Sequence, residues 1–270
     1  MEHTRNVFWQ DLVSVLGWTR SSTALIGAFL LTLALIVIVW WPLAEQELAL
    51  IDWERPIWGQ LDWLLLGDFA AMSLLIVAGA DLRTDVWIAL VALFGGLAIE
   101  TWGTQTGLWT YYTLEAPPLW IIPAWPIANL AVNRLARLLN LLVDHILPPH
   151  KKAHFRFLYW LIFIPFFALL IRFAWPTLTR PLTLLAIVAC ALTLLSINNH
   201  RQAVLVFIAA AGLGYFLELW GTTRLCWTYY TEFQPPIFAV LSHGMAAVAV
   251  WRTDQLRQAL QRRWLDHRPA

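Results

Sequence analysis

Two carboxylates 118 positions apart head the same phrase: ETWGTQTGLWTYYTLEAPP begins at Glu100 and ELWGTTRLCWTYYTEFQPP at Glu218, with 11 of 19 positions identical and no gap. Two carboxyls that share an apolar pocket cannot both ionise, so one serves as acid and the other as base. General acid–base catalysis needs that division. The same residues have a plainer use, in which each Glu accepts hydrogen bonds from the Thr, Trp or Tyr of its own phrase and pins a re-entrant turn. The sequence leaves both uses open, with Glu100 and Glu218 as the candidate catalytic residues.

The aromatics of the phrases, Trp102, Trp109, Tyr111 and Tyr112 in the first and Trp220, Trp227, Tyr229 and Tyr230 in the second, are candidate ligand-binding residues. Trp and Tyr collect at membrane headgroups, but a belt asks for aromatic character and not for the fixed order W-T-Y-Y-T. Ring faces also attract cations, and by extension a carbocation. Where the first copy has Trp125 the second has His243, which can move a proton, hydrogen-bond a substrate or bond a neighbouring helix. Asn129 and Asn133 carry the same ambiguity. Asp68, matched by Ala186 at the same offset, either serves the site from one side or pairs with a buried polar group.

No metal site or cofactor is expected. His150 and His154 are four apart, but lysines lie between them and no acid follows, so a basic loop is the better reading. Cys190 and Cys226 form no redox pattern, and Cys226 is matched by Leu108. There is no phosphate-cradling glycine loop, nucleophile elbow or nucleic-acid module.

The elements that carry these residues follow from hydropathy. The chain has 270 residues, 60% hydrophobic and 13% charged, which suits a polytopic all-α membrane protein. About eight apolar runs are long enough to span a bilayer, over residues 23–43, 61–80, 86–104, 119–142, 157–175, 181–197, 203–220 and 237–251. The polar stretch 1–22 lacks a cleavage site, so the first span is read as retained. Pro123 and Pro126 should break the fourth run near its start. With the N-terminus inside, 14 of the 18 Lys and Arg fall on inner segments, which puts both termini in the cytoplasm.

The register at offset 118 extends outward to Arg83 and Arg201, Gly96 and Gly214, and Arg134 and Arg252. Four crossings separate the phrases, so the units form a parallel internal repeat about a pseudo-twofold axis along the membrane normal, both phrases outside. The chain divides into an N-terminal segment at 1–60, a first repeat at 61–152, a second at 153–252 and a basic tail at 253–270. Gly103 and Gly221 are expected to permit the turn out of the helix, and Pro117-Pro118 and Pro235-Pro236 to restart it.

The run AIETWGTQTGLWTYYT from Ala98, followed by PPLWIIPAW, resembles the membrane-embedded carotenoid biosynthesis proteins of the bisanhydrobacterioruberin hydratase type. The comparable positions are Glu100, Gly103, Thr104, Thr106, Gly107, Tyr112, Pro118, Ile122, Pro123, Ala124 and Trp125, about 30 residues of the chain. A looser likeness to membrane lycopene cyclases meets Trp120 where that family has an acid. The resemblance implies an all-helical fold that acts on a long isoprenoid within the bilayer by protonating a terminal double bond; the expected location is a bacterial inner membrane. Glu100 would be the donor, Glu218 its partner or the base for water, and Trp109, Tyr112 and Tyr230 the wall around the cation. The rival classes are a non-catalytic subunit or small transporter that binds a lipid or quinone beside a membrane-protein partner, and a scaffold in which the acids only tie down turns.

Overall fold

The computed structural model describes residues 2–147 and 154–266; His150, and with it the 150/154 pair, lies outside them. Among these residues the chain is all-α apart from one two-stranded ribbon. The helices are α1 (Glu2–Leu16), α2 (Arg20–Val39), α3 (Trp41–Ala49), α4 (Trp63–Val77), α5 (Leu82–Thr106), α6 (Ala124–Ile146), α7 (Phe155–Ala174), α8 (Pro181–Ser196), α9 (His200–Thr223) and α10 (Ile237–Asp266). The strands are β1 (Trp109–Tyr111) and β2 (Trp227–Tyr229).

Four helical stretches are long and apolar enough to cross a membrane, Arg20–Val39, Leu82–Thr106, Phe155–Thr177 and His200–Thr223, and Trp63–Val77 and Pro181–Ser196 are shorter apolar helices. The outward rows of α2 show what such helices require: Leu30, Leu31, Leu35, Ile38 and Val39 are all more than half exposed. A surface of that kind belongs to hydrocarbon and not to water. The chain is membrane-embedded.

Several elements begin or end away from their expected places. The N-terminal polar stretch forms α1, and the first apolar run closes at Val39 with α3 after it. Residues 119–123 form turns and α6 starts behind Pro123, with Pro126 inside its first turn, so the apolar run is broken near its start as expected. Pro236 does precede a helix directly, but Pro118 does not. α10 continues to Asp266, well beyond the apolar stretch.

The centre of the bundle is α9 with α10, α6 and α7 around it, and α5 and α4 pack on α6. α5 and α10 each touch the other's neighbours, and the Trp102 indole on α5 donates to Thr183 Oγ1 of α8 at 3.1 Å while the Trp220 indole on α9 donates to Asp62 beside α4 at 2.9 Å. At the end of the bundle remote from the phrases, Arg134 of α6 meets Asp85 of α5 in a bidentate pair at 2.7 and 2.6 Å, with both side chains 2% exposed. Two parallel N–H···O bonds offset the desolvation of both charges and fix how α5 and α6 sit together.

Candidate functional site

α5 and α9 end in the same way. The chain turns through positive φ at Gly107 (76°) and at its counterpart Leu225 (56°), and the following amides of Leu108 and Cys226 bond back to the carbonyls of Gly103 and Gly221 at 2.9 and 2.8 Å. This closes the helix C-terminus on its orphan carbonyls. Each chain then runs as a short strand back over its own helix, and the two strands pair antiparallel. Thr110 lies opposite Thr228, Trp109 opposite Tyr229 and Tyr111 opposite Trp227. The amides of Tyr112 and Tyr230 extend the ladder to Cys226 O and Leu108 O at 3.0 and 3.1 Å.

Side chains alternate across a strand, and the alternation sorts the aromatics. Trp109, Tyr111, Trp227 and Tyr229 face inward and are buried, while Thr110, Thr228, Tyr112 and Tyr230 face out. The inward rings meet across the ribbon, Trp109 with Tyr229 at 5.8 Å and Tyr111 with Trp227 at 5.9 Å between centroids.

Beneath this layer lie the two carboxylates, 5% and 3% exposed. Glu100 accepts from the Trp109 indole at 3.0 Å, the Tyr111 hydroxyl at 3.0 Å and the Trp125 indole at 3.2 Å. Glu218 accepts from the Trp227 indole and the Tyr229 hydroxyl, both at 2.9 Å, and its Oε1 lies 2.9 Å from His243 Nε2. Each carboxylate therefore has two partners from its own phrase and a third from the helix that follows, Trp125 on α6 or His243 on α10. Those two third partners stack on each other, 5.9 Å apart and 22° from parallel. The Thr of each phrase does not reach the carboxylate: Thr104 and Thr222 donate instead to the backbone carbonyls of Glu100 and Glu218.

The glycines have a different office from the one expected. Gly103 and Gly221 sit inside their helices, which run on to Thr106 and Thr223. A Cβ at Gly103 would fall 1.9 Å from the Trp109 ring, and one at Gly221 2.0 Å from the Trp227 ring. Gly96 and Gly214 admit Trp125 and His243 in the same manner, with a Cβ at 2.2 and 2.6 Å. The turn itself belongs to Gly107 and Leu225.

The other expected site residues divide. Trp102 and Trp220 pack edge-on to Trp109 and Trp227, at 5.7 and 6.1 Å, and donate their indole protons to Thr183 and Asp62. Tyr112 and Tyr230, expected beside a cation, lie on the outer face of the ribbon, with Tyr112 against Trp120 and the Tyr230 hydroxyl on Phe173 O at 2.8 Å. Asp68 is part-buried on α4, and its Oδ2 has no hydrogen-bond partner among the described residues. Asn129 is buried, with its amide on Trp125 O at 2.9 Å. Cys190 and Cys226 are free thiols.

Asp62, Thr183 and the full role of Trp125 were not legible beforehand. Asp62 caps α4 through the amides of Leu64 and Leu65 and also holds Trp220 and the Arg224 guanidinium, the latter at 2.8 Å. Its only sequence signal was an acidic residue just before an apolar run. No group of three or more His, Cys, Asp or Glu among the described residues could hold a metal ion.

Against protein-family models, curated proteins and solved structures, the chain matches none.

Proposed function

We propose that the chain is a membrane-embedded acid–base enzyme acting on a long isoprenoid, of the carotenoid hydratase or cyclase kind, with Glu218 and His243 as the proton-handling pair. One observation carries this reading: at matched places against matched carboxylates, the first phrase has an indole and the second an imidazole. An indole N–H only donates. An imidazole can both donate and accept a proton, and a carboxylate at 2.9 Å orients it.

In the hydratase form, the pair delivers a proton to one carbon of a terminal double bond and leaves a tertiary carbocation on the other. Water adds its oxygen there, and the proton it sheds returns to the pair, so the net change is addition of H and OH. The Trp125 ring, stacked on His243, is the nearest face for the cation. Glu100 holds the first phrase rigid beside the reacting group, where it fixes Trp109, Tyr111 and Trp125.

On this reading the protein has eight spans in a parallel repeat, with phrases outside and both termini in the cytoplasm of a bacterial inner membrane. The ties support it by their positions: Asp62–Arg224 and Tyr230–Phe173 join elements at the phrase end, and Asp85–Arg134 and Arg201–Asp144 join elements at the other.

A second reading has its own support. Glu100 is satisfied by three groups that do not exchange a proton near neutrality, as a structural pin would be, and a protein with two such pins is a binding subunit for a lipid or quinone. His243→Trp separates the readings, because it restores the donor of the first phrase and preserves the bond to Glu218. In membranes that contain acyclic carotenoids, water-added or cyclised pigment made by the native chain and lost in a folded His243→Trp protein supports the enzyme. A pigment pool that the native chain leaves unchanged, with a co-purifying quinone or phospholipid, supports the subunit.

A further inference from the structure

The end of the bundle remote from the phrases differs between the two halves. In the first, the corner where α5 begins is filled by the chain's own N-terminal segment. Trp18 bridges Ala78, the Gly79 amide donates to Gly17 O at 2.8 Å, Thr19 Oγ1 donates to Ala80 O at 2.7 Å, and Arg137 donates to the carbonyls of Ala78 and Gly79. In the second, among the described residues, the corner where α9 begins opens into a cavity of about 600 Å³ lined by Arg156, Asn198, Asn199, His200, Arg201 and Gln255, with Phe155 at its side.

The residue types change with the space. At offset 118, Asp81 becomes Asn199 and Asp85 becomes Ala203, so both acids of the first corner are lost, while Arg83 is kept as Arg201. Arg156, on α7, adds a second guanidinium. Asp144 takes both terminal nitrogens of Arg201, at 3.0 and 2.9 Å, and Nη2 also donates to Asn140 O at 3.0 Å, which leaves the buried Nε without a hydrogen-bond partner among the described residues. The first-turn amides of a helix also lack intrahelical acceptors, and α9 is a 24-residue helix whose N-terminus, capped by Asn199, opens here. Two guanidinium groups, amide donors and a helix N-terminus around one open space make a site for a tetrahedral oxyanion.

We propose that this cavity binds a phosphate group, presented either as the headgroup of an anionic phospholipid or as free phosphate. The site is independent of the Glu218–His243 pair, which lies toward the other end of α9 and α10.

The test uses the full chain in a non-ionic detergent. Native mass spectrometry with added phosphatidylglycerol or phosphatidylcholine reads the lipid source, and isothermal titration with sodium phosphate against sodium chloride reads the free ion. Two variants report on the cavity. Arg156→Gln removes an exposed cation, and Asn199→Asp keeps a good helix cap while returning the carboxylate of the first corner. Phosphatidylglycerol or phosphate is expected to bind in preference to its control, about tenfold more weakly in either variant, which is about 1.4 kcal/mol. Lipid binding without phosphate binding assigns the headgroup, and competition by phosphate assigns the free ion. Binding no better than phosphatidylcholine and chloride, or equal binding by both variants and the native chain, overturns the proposal.

Discussion

Trp125 and His243, 118 positions apart in the chain, stack on each other with 22° between their planes, and each contacts a different buried carboxylate. The contact joins the two carboxylate cages at their third partners, an indole in one and an imidazole in the other.

Removing the acceptor tests the cages. Glu218→Gln turns an amide N–H₂ toward groups that donate, so a buried donor goes unmatched at a cost of about 1–3 kcal/mol, and Glu100→Gln should cost a similar amount. Under the enzyme reading Glu218→Gln also abolishes product in membranes where folded protein is still present. Thermal unfolding in detergent together with pigment analysis measures both, and product formed at the native rate per folded Glu218→Gln molecule would remove that residue from the proton-handling pair.

The glycines under the indoles admit no side chain. Gly103→Ala and Gly221→Ala each place a methyl about 2 Å from an indole ring, and such overpacking costs about 1–3 kcal/mol. Gly212, on α9 with nothing within 4 Å of its Cβ, is the control. Its alanine variant should be neutral or more stable by about 0.5–1 kcal/mol, so equal melting shifts at Gly103, Gly221 and Gly212 would contradict the packing account.

Leu225 occupies with φ 56° the position that Gly107 fills with φ 76°. A branched side chain in that region costs about 1 kcal/mol. Leu225→Gly should therefore raise the unfolding midpoint by about that energy, while Gly107→Leu should lower it.

Asp85 and Arg134 are strongly coupled. Asp85→Ala leaves a buried guanidinium without its counter-ion, a loss of about 3–5 kcal/mol. The double variant Asp85→Ala with Arg134→Leu should recover most of it, since an apolar pair of similar volume replaces the ion pair at little cost. A double-mutant cycle on unfolding measures the coupling, and additive losses would show that the pair does not carry the α5–α6 contact.

Thr110 and Thr228 face out from directly opposed positions of the ribbon. Paired positions of an antiparallel ladder lie within disulfide range, so Thr110→Cys with Thr228→Cys, in a background with Cys190 and Cys226 replaced by Ala, should oxidise to an intramolecular bond. Before oxidation, a membrane-impermeant thiol reagent should label both from the periplasmic side. Labelling from the cytoplasmic side alone would reverse the proposed orientation.

The residue order by itself determined the class of the protein and the partners available to its acids. Apolar runs of spanning length leave helices as the structure that satisfies their backbones in lipid, and a phrase repeated at 11 of 19 positions marks the Glu, Trp and Tyr that belong together. What the tertiary structure decided was direction. Tyr111 and not Tyr112 reaches Glu100, because the phrase is a strand and alternate residues face opposite ways. Gly103 proved to be a space for an indole rather than a turn, since that depends on where Trp109 returns after five intervening residues. The meeting of Trp125 with His243, and of Trp220 with Asp62, joins residues 118 and 158 positions apart. Local propensity says nothing of such contacts; the packing of α5, α6, α9 and α10 against one another sets them.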